Sequence, residues 1–362
     1  MRIVVGMSGG ADSSLAALLL REAGHEVIGL TAWLWKCDAP AERERACCGS
    51  VEMLRRAREA AEAAGVRHEV VDLSEEFERE VVGPALRSLA QALTPSPCVL
   101  CNWRVRFPGL LAAARALGAE AIATGHYARL AESGDRVKLF RGADPSCDQS
   151  YFLFLVPRDV LAETVFPLGN MTKLETRAQL ARRSHPAAAR PSSQDLCFAG
   201  GRSLAALLKA RAERGEIRAE GVLEAGPIVD LEGRILGWHR GLAGYTVGQR
   251  RGIAVPNAQP LYVIELRPGS RELVVGPEEA TSCERFAVDG LALAEPAAVE
   301  FEALVQVRYR SAPLPARVRI GGEGRAEVVL ERPARAVAPG QAAVFFRGDE
   351  VIGGAWISPR RG

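Results

Sequence analysis

The chain has 362 residues, 48% of them hydrophobic and 25% charged, which is enough for two or three packed domains and excludes a disordered polymer. With 46 Lys and Arg against 44 Asp and Glu the formal charge is +2, so no global field recruits nucleic acid and any such binding has to use local basic patches. The opening MRIVVGMSGG lacks the apolar core of a signal peptide, no apolar run reaches spanning length, and 8 scattered cysteines are too sparse for a secreted disulfide scaffold; a cytoplasmic protein with no membrane contact is expected.

Ile3 to Gly6 reads as a short buried strand, followed by a Ser-Gly-Gly turn and an amphipathic helix from Ser13 that stops at Gly24. Val27 to Leu34 is the next strand, Val51 to Ala64 a helix ended by Gly65, and Glu69 to Leu73 a third strand. This alternation predicts an α/β fold with a parallel sheet covered by helices on both faces. Glu75 to Leu93 is helical until Thr94-Pro95-Ser96-Pro97, where two prolines remove amide donors, so Cys98 is expected on a loop. A helical pattern resumes from Val99 to Leu117, and Ala121 to Ala123 is a buried strand leading into Thr124-Gly125-His126-Tyr127, at the strand end where open α/β sheets bind ligands. Leu204 to Ala212 is the last clear helix. After Glu220, glycine and proline punctuate short alternating strands, among them Leu261 to Leu266, Leu273 to Val275, Val318 to Ile320, Ala326 to Leu330 and Ala342 to Phe346. The expected division is a nucleotide-binding domain over 1–203, a small mixed domain over 204–276 and a β-barrel over 277–362.

"GMSGGADSS", Gly6 to Ser14, follows a buried strand and opens a helix, so its glycines let backbone amides approach a phosphate at the positive helix end. The lysine of a Walker loop is missing. The order Ser-Gly-Gly-x-Asp-Ser instead resembles the PP-loop of ATP pyrophosphatases, which split ATP into AMP and pyrophosphate. A carboxylate at Asp12, so close to phosphates, makes sense if it helps hold Mg²⁺. A glycine turn capped by serines is the bland alternative.

Structural zinc wants four ligands, and Cys98 with Cys101 supply two, while the adjacent Cys47 and Cys48 are poorly spaced for a second pair. Cys197 stands apart: Ser192, Ser193, Gln194 and Asp195 precede it and glycines follow, a setting that suits an exposed thiol better than a core one. Cys37, Cys47, Cys48 and Cys283 read as structural. Arg250 and Arg251 after Gln249, and Arg308-Tyr309-Arg310, are short basic clusters that serve either as solvated faces or as phosphate contacts with an aromatic for base stacking.

Taken in order, "GMSGGADSS", "TPSPCVLCN", "ATGHYARL", "DQSYFL", "QDLCFAGG", "YTVGQRRG", "RYR" and "PGQAAVFFRGDEVIGGAWI" resemble the tRNA-specific 2-thiouridylases nearly end to end. The resemblance implies a PP-loop domain of the adenine nucleotide α-hydrolase type, a central domain and a terminal barrel. It also implies an ATP-dependent sulfurtransferase that adenylates the 2-carbonyl of a wobble uridine and replaces the oxygen with sulfur from a cysteine persulfide. ATP and Mg²⁺, a tRNA, and a sulfur-donor protein such as a cysteine desulfurase or relay protein are the implied cofactors and partners. The chemistry is coherent, because a carbonyl oxygen does not leave as oxide at neutral pH and a thiolate carries sulfane sulfur well.

By the same resemblance Cys101 is the nucleophile or resolving thiol and Cys197 the persulfide carrier. Gly6, Met7, Ser8, Gly9, Gly10, Ala11, Asp12 and Ser13 hold ATP phosphates, with the backbone near Ala32 on adenine and Gly125 on the nucleotide. Ser96, Pro97 and Cys98 touch the target base; His126, Cys147, Asp148, Gln149, Arg308, Tyr309 and Gln341 touch tRNA. Two departures matter: Cys98 stands where many members carry Asp, and Cys147 where a lysine is common. Cys98, Cys101 and Cys197 could hold a 4Fe4S cluster with one open iron, or, in a redox relay, Cys101 could attack the Cys197 persulfide with Cys98 as a spare or resolving thiol. A PP-loop ligase or amidotransferase acting on a small carboxylate, and a non-catalytic nucleotide- or cluster-binding module, are the rival readings.

Overall fold

The computed structural model describes residues 1–36, 51–134, 136–190, 196–199, 202–253, 255–257 and 259–359. The chain forms two units: Met1–Val82, Pro97–Gly201 and Asp349–Val351 make one, and Gly83–Ser96, Arg202–Gly348 and Ile352–Gly362 the other.

The first unit is built on strands β1 (Arg2–Gly6), β2 (Glu26–Trp33), β3 (Arg67–Asp72) and β4 (Ala121–Ala123), with the hairpin β5 (Ala128–Ser133) and β6 (Arg136–Arg141) and the short β7 (Thr164–Val165). The sheet order is β3-β2-β1-β4-β7, and every neighbouring pair is parallel. Helices α1 (Ala11–Glu22) and α2 (Val51–Ala64) cross over between the first three strands. Alanines bring them close to the sheet, with Ala16, Ala17, Ala60 and Ala61 buried against Ile3, Val5 and Met7. From β1 the chain winds outward to β3 and then returns to the other flank of β1 at β4. The crevice beyond the carboxyl ends of β1 and β4 is therefore the topological switch point, where such sheets take ligands.

The thiol pair departs from its expected setting. Pro97–Cys101 is helical, followed without a break by a π-helical turn, Asn102–Arg106, and an α-helix, Phe107–Ala116. Pro97 starts this path because proline is tolerated in a helix's first turn, where its missing N–H would have no partner. Cys98 and Cys101 thus lie one turn apart on a helix, not on a loop. A second π-helical turn, Glu78–Val82, follows the short helix Ser74–Phe77 and packs on both Pro97–Cys101 and Asn102–Arg106.

In the second unit, helix Gly83–Ala90 packs against helix Leu204–Glu213. A four-stranded sheet has the order Tyr262–Arg267, Glu272–Gly276, Gly226–Val229, Ile235–His239. Six strands, Ser282–Leu293, Ala326–Arg335, Leu314–Ile320, Glu300–Gln306, Ala342–Arg347 and Glu350–Ile357, then close into a barrel, the first pairing with the last at Val288 and Ile357. Val288, Val305, Val318, Val328 and Phe345 fill its interior. Gly340, at φ +90°, is where Leu93 and Thr94 come closest: a Cβ there would lie 2.9 Å from Leu93 Cβ, and Thr94 N donates to Pro339 O at 2.7 Å. Among the described residues no helix is long and apolar enough to cross a membrane.

Candidate nucleotide and thiol site

Between β1 and α1 the backbone turns through Gly9, at φ +72°, a conformation that favours glycine. A Cβ at Gly9 would meet the Arg56 backbone at 2.7 Å, so the loop rests directly on α2. Serines fix its shape: Ser8 N donates to Ser13 Oγ (3.2 Å), and the hydroxyls of Ser13 and Ser14 donate to Gly10 O (3.3 and 2.8 Å). Gly10 precedes α1 without a side-chain cap, which leaves first-turn amides of Ala11, Asp12 and Ser13 to meet an anion at the positive end of the helix.

Two neighbouring strand ends complete this cradle. Met7 N donates to Leu30 O (2.8 Å) and Thr31 Oγ1 to Met7 O (2.9 Å), tying the loop to β2 just before Ala32. The turn after β4 lies on the start of α1, because a Cβ at Gly125 would come within 2.7 Å of the Asp12 backbone carbon and 2.8 Å of Ser13 N. Gly6 to Ser13, Ala32 and Gly125 are thereby brought to adjoining strand ends.

Sequence reasoning missed two cations here. Lys173 Nζ lies 2.6 Å from both carboxylate oxygens of Asp12, and Tyr127 Oη donates to the same carboxylate at 2.9 Å. Burial, reinforced by the Asp12 charge, pushes the Tyr127 phenol well above its usual range, so it stays a proton donor. Arg190 donates to Gly9 O (2.6 Å), Arg56 O (3.0 Å) and Glu59 Oε2 (2.9 Å). Asp12 is already neutralised by Lys173, and among the described residues no three His, Cys, Asp or Glu side chains converge as metal ligands. The pairing with Lys173 gives Asp12 a second reason to be a carboxylate.

His126 is 8% exposed, with Nδ1 at 2.7 Å from Thr124 Oγ1 and its ring packed against Phe107 and Phe166. Burial, helped by the Arg106 charge, pushes its pKa down to about 3, so the imidazole is neutral. Asp148 is also buried and accepts from Arg141 Nε, Gly142 N, Ser150 N and Ser150 Oγ. It orders the turn that carries the half-buried Cys147 and Gln149, whose Oε1 accepts from Tyr127 N at 3.0 Å.

Cys98 is exposed, Cys101 buried and Cys197 partly buried. Phe198, beside Cys197, sets its ring against Phe77 at 5.6 Å and Trp35 at 6.1 Å, while Pro97–Cys101 packs on Glu78–Val82. Both thiol-bearing segments therefore rest on the continuous stretch Phe77–Val82. Among the described residues, Cys98, Cys101 and Cys197 do not form a group placed to hold a metal ion. Cys37, Cys47, Cys48 and the polar run Ser192 to Asp195 lie outside the described residues.

The remaining expected contacts belong to the second unit. Ser96 ends its first segment; Arg308 O accepts from Gln306 Nε2 (3.1 Å) and Ser311 Oγ (2.8 Å); the Arg310 guanidinium stands 5.3 Å over the Tyr309 ring. Arg310 is at φ +68°, which turns the chain sharply at this cluster. The Gln341 Oε1 is buried with no hydrogen-bond partner among the described residues.

Three family models match: the tRNA methyl transferase HUP domain over residues 1–201, the tRNA methyl transferase PRC-barrel domain over 218–277 and the aminomethyltransferase β-barrel domain over 288–357. The tRNA-specific 2-thiouridylase MnmA of Chloroflexus aurantiacus is 46% identical over 359 residues, covering 98% of each chain. The enzyme of the same name from Rhodospirillum rubrum is 44% identical over 372 residues, covering 99% of this chain and 97% of its own. A 4-thiouridine synthetase in complex with RNA and ATP aligns at a TM-score of 0.35 and 19% identity, covering 56% of this chain and 45% of its own. With full-length relatives at this identity, a phosphate loop at the switch point of a parallel sheet, and a closed terminal barrel, the chain belongs to the tRNA-specific 2-thiouridylase family.

Proposed function

We propose that this protein is an ATP-dependent tRNA sulfurtransferase that makes 2-thiouridine at the wobble position, working in the cytoplasm on unmodified tRNA with sulfur supplied to the enzyme by a separate donor protein. The observation that carries the reading is the convergence of an uncapped helix start, three glycines and a half-buried Asp12 at one sheet crevice, within the unit that also carries Cys98, Cys101 and Cys197. The first 203 residues are read as the nucleotide and thiol domain, 204–276 as a connecting domain and 277–362 as a barrel that helps hold tRNA.

In this reading the uracil 2-oxygen attacks the α-phosphorus of ATP, the bond to the β-phosphate breaks, and pyrophosphate leaves. Amides of Ala11 to Ser13 face the phosphates, and Gly125 keeps the crevice open at its floor. Cys197 carries a persulfide; the Cys101 thiolate attacks its inner sulfur, forming a Cys101–Cys197 disulfide and releasing hydrosulfide. Hydrosulfide adds to the activated C2 and AMP departs, so the two electrons that reduce the sulfur come from the two thiols. The disulfide then needs an external thiol reductant before the next turnover. Support for this pairing is the shared seating of both thiol segments on Phe77–Val82. Arg308, Tyr309 and Gln341 are assigned to tRNA, Arg310 keeping the Tyr309 ring in place for a splayed base.

The test is a paired assay of Cys197→Ser and Cys101→Ser. Both are expected to release pyrophosphate on addition of unmodified tRNA and ATP, and neither to form 2-thiouridine. Pyrophosphate release that needs no tRNA but responds to a small carboxylate would replace this reading with that of a ligase.

A further inference from the structure

The phosphate loop carries no cation of its own: Gly6 to Ser14 contains neither Lys nor Arg. Two basic side chains reach it from far along the chain, and they do different work. Arg190, 15% exposed at its side chain, spends its donors on the carbonyls of Gly9 and Arg56 and on Glu59. Lys173 instead ends on Asp12, in the first turn of α1, and its side chain keeps 23% of its surface exposed.

The position of that ammonium is electrostatically odd. Lys173 is the first residue of its own helix, Lys173–Arg182, and its Nζ sits beside the first turn of α1, so it stands near two positive helix ends. Asp12 offsets one charge, which leaves the carboxylate and ammonium together neutral beside a ring of unfilled amide donors. A neutral pair is a poor reason to bring a lysine across 161 positions of sequence to this spot. A polyanion in the cradle gives one. An ammonium has three N–H donors, and a carboxylate that grips it from one side leaves a donor for a phosphate oxygen on the other. Tyr127 helps by donating to Asp12 and lying with its ring 5.6 Å below Nζ, and the capping box of Thr172 and Glu175 fixes the backbone from which the side chain rises.

We propose that Lys173 is the cationic ligand of the β- and γ-phosphates of ATP, held in readiness by Asp12 and Tyr127, and that it stabilises the pyrophosphate as it leaves. The inference rests on the ATP-dependent reading above. It assigns to the helix Lys173–Arg182 the charge that other phosphate loops carry within the loop itself.

The experiment is calorimetric titration of the full chain, parent and variants, with ATP, inorganic pyrophosphate and AMP. Lys173→Gln keeps a donor for Asp12 and removes the charge; it is expected to weaken ATP and pyrophosphate at least tenfold and to change AMP less than twofold, since AMP lacks the phosphates concerned. Lys173→Arg is expected to recover most of the loss, and thermal melting of both variants checks that the fold survives. Equal losses for ATP and AMP, or no loss for either, would overturn the assignment and leave a purely structural ion pair. A parent chain that binds none of the three would overturn the ATP reading itself.

Discussion

Arg190 donates to the carbonyl of Gly9 at 2.6 Å and to that of Arg56 at 3.0 Å, and so pins the phosphate loop to α2. The same guanidinium is buried enough for desolvation to lower its pKa, which makes its contacts with Gly9, Arg56 and Glu59 the compensation for its burial. Arg190→Ala is expected to loosen the loop from α2, weakening ATP at least tenfold and costing about 2–3 kcal/mol of stability, the scale of charged hydrogen bonds. Arg190→Lys should recover little, because one ammonium cannot span two carbonyls and a carboxylate in a plane. Titration calorimetry and denaturant melts check both.

The buried histidines set an acid limit. His126 holds a proton only below about pH 3, and burial lowers His68 and His185 in the same direction. The unfolded chain protonates these rings from about pH 6.5, so it binds more protons than the folded chain below that point and stability falls as pH drops. The expected outcome is a steady loss of melting temperature from pH 6.5 to 4.5, a window above most carboxylate titrations. In His126→Gln the slope should be visibly shallower than in the parent.

Cys98 distinguishes the two uses of the thiols. It is exposed one turn before the buried Cys101, so a relay needs only Cys101 and Cys197 while a cluster needs all three. After anaerobic purification, parent and Cys98→Ala are expected to contain no stoichiometric iron or inorganic sulfide and to differ less than fivefold in 2-thiouridine formation. Iron and sulfide in the parent that vanish in Cys98→Ala would install the cluster in place of the relay.

The inner strands of the central sheet were legible because Ile3, Val4, Val5 and Ala121–Ala123 are buried and stand out as apolar runs; the helix Val51–Ala64 also occupies the expected residues, and the phosphate loop falls between the expected strand and helix. The hairpin Ala128–Ser133 and Arg136–Arg141 was not, since Arg129, Glu132, Arg136 and Lys138 break its apolar alternation. The π-helical turns after Phe77 and Cys101 have no periodicity of their own to read. Lys173 and Arg190 escaped for a different reason. Each is an ordinary exposed-type residue in sequence, and its meaning comes from a partner more than a hundred positions away. Asp148, expected to touch tRNA, is buried and accepts from Arg141, Gly142 and Ser150, a local bonding pattern that spacing does not reveal.

The interleaving of the chain has a consequence for anyone who would isolate the nucleotide-binding half. Gly83–Ser96 lies between two stretches of the first unit, yet Leu86 and Leu89 are buried in a helix packed on Leu204–Glu213, and Leu93 and Thr94 are seated against Pro339 and Gly340. A fragment ending near residue 201 would present that helix bare to water in the middle of its own fold. The strap that leads to Cys98 and Cys101 thus takes its packing from residues made after the nucleotide-binding half, so cutting the chain there removes the partners of its own middle.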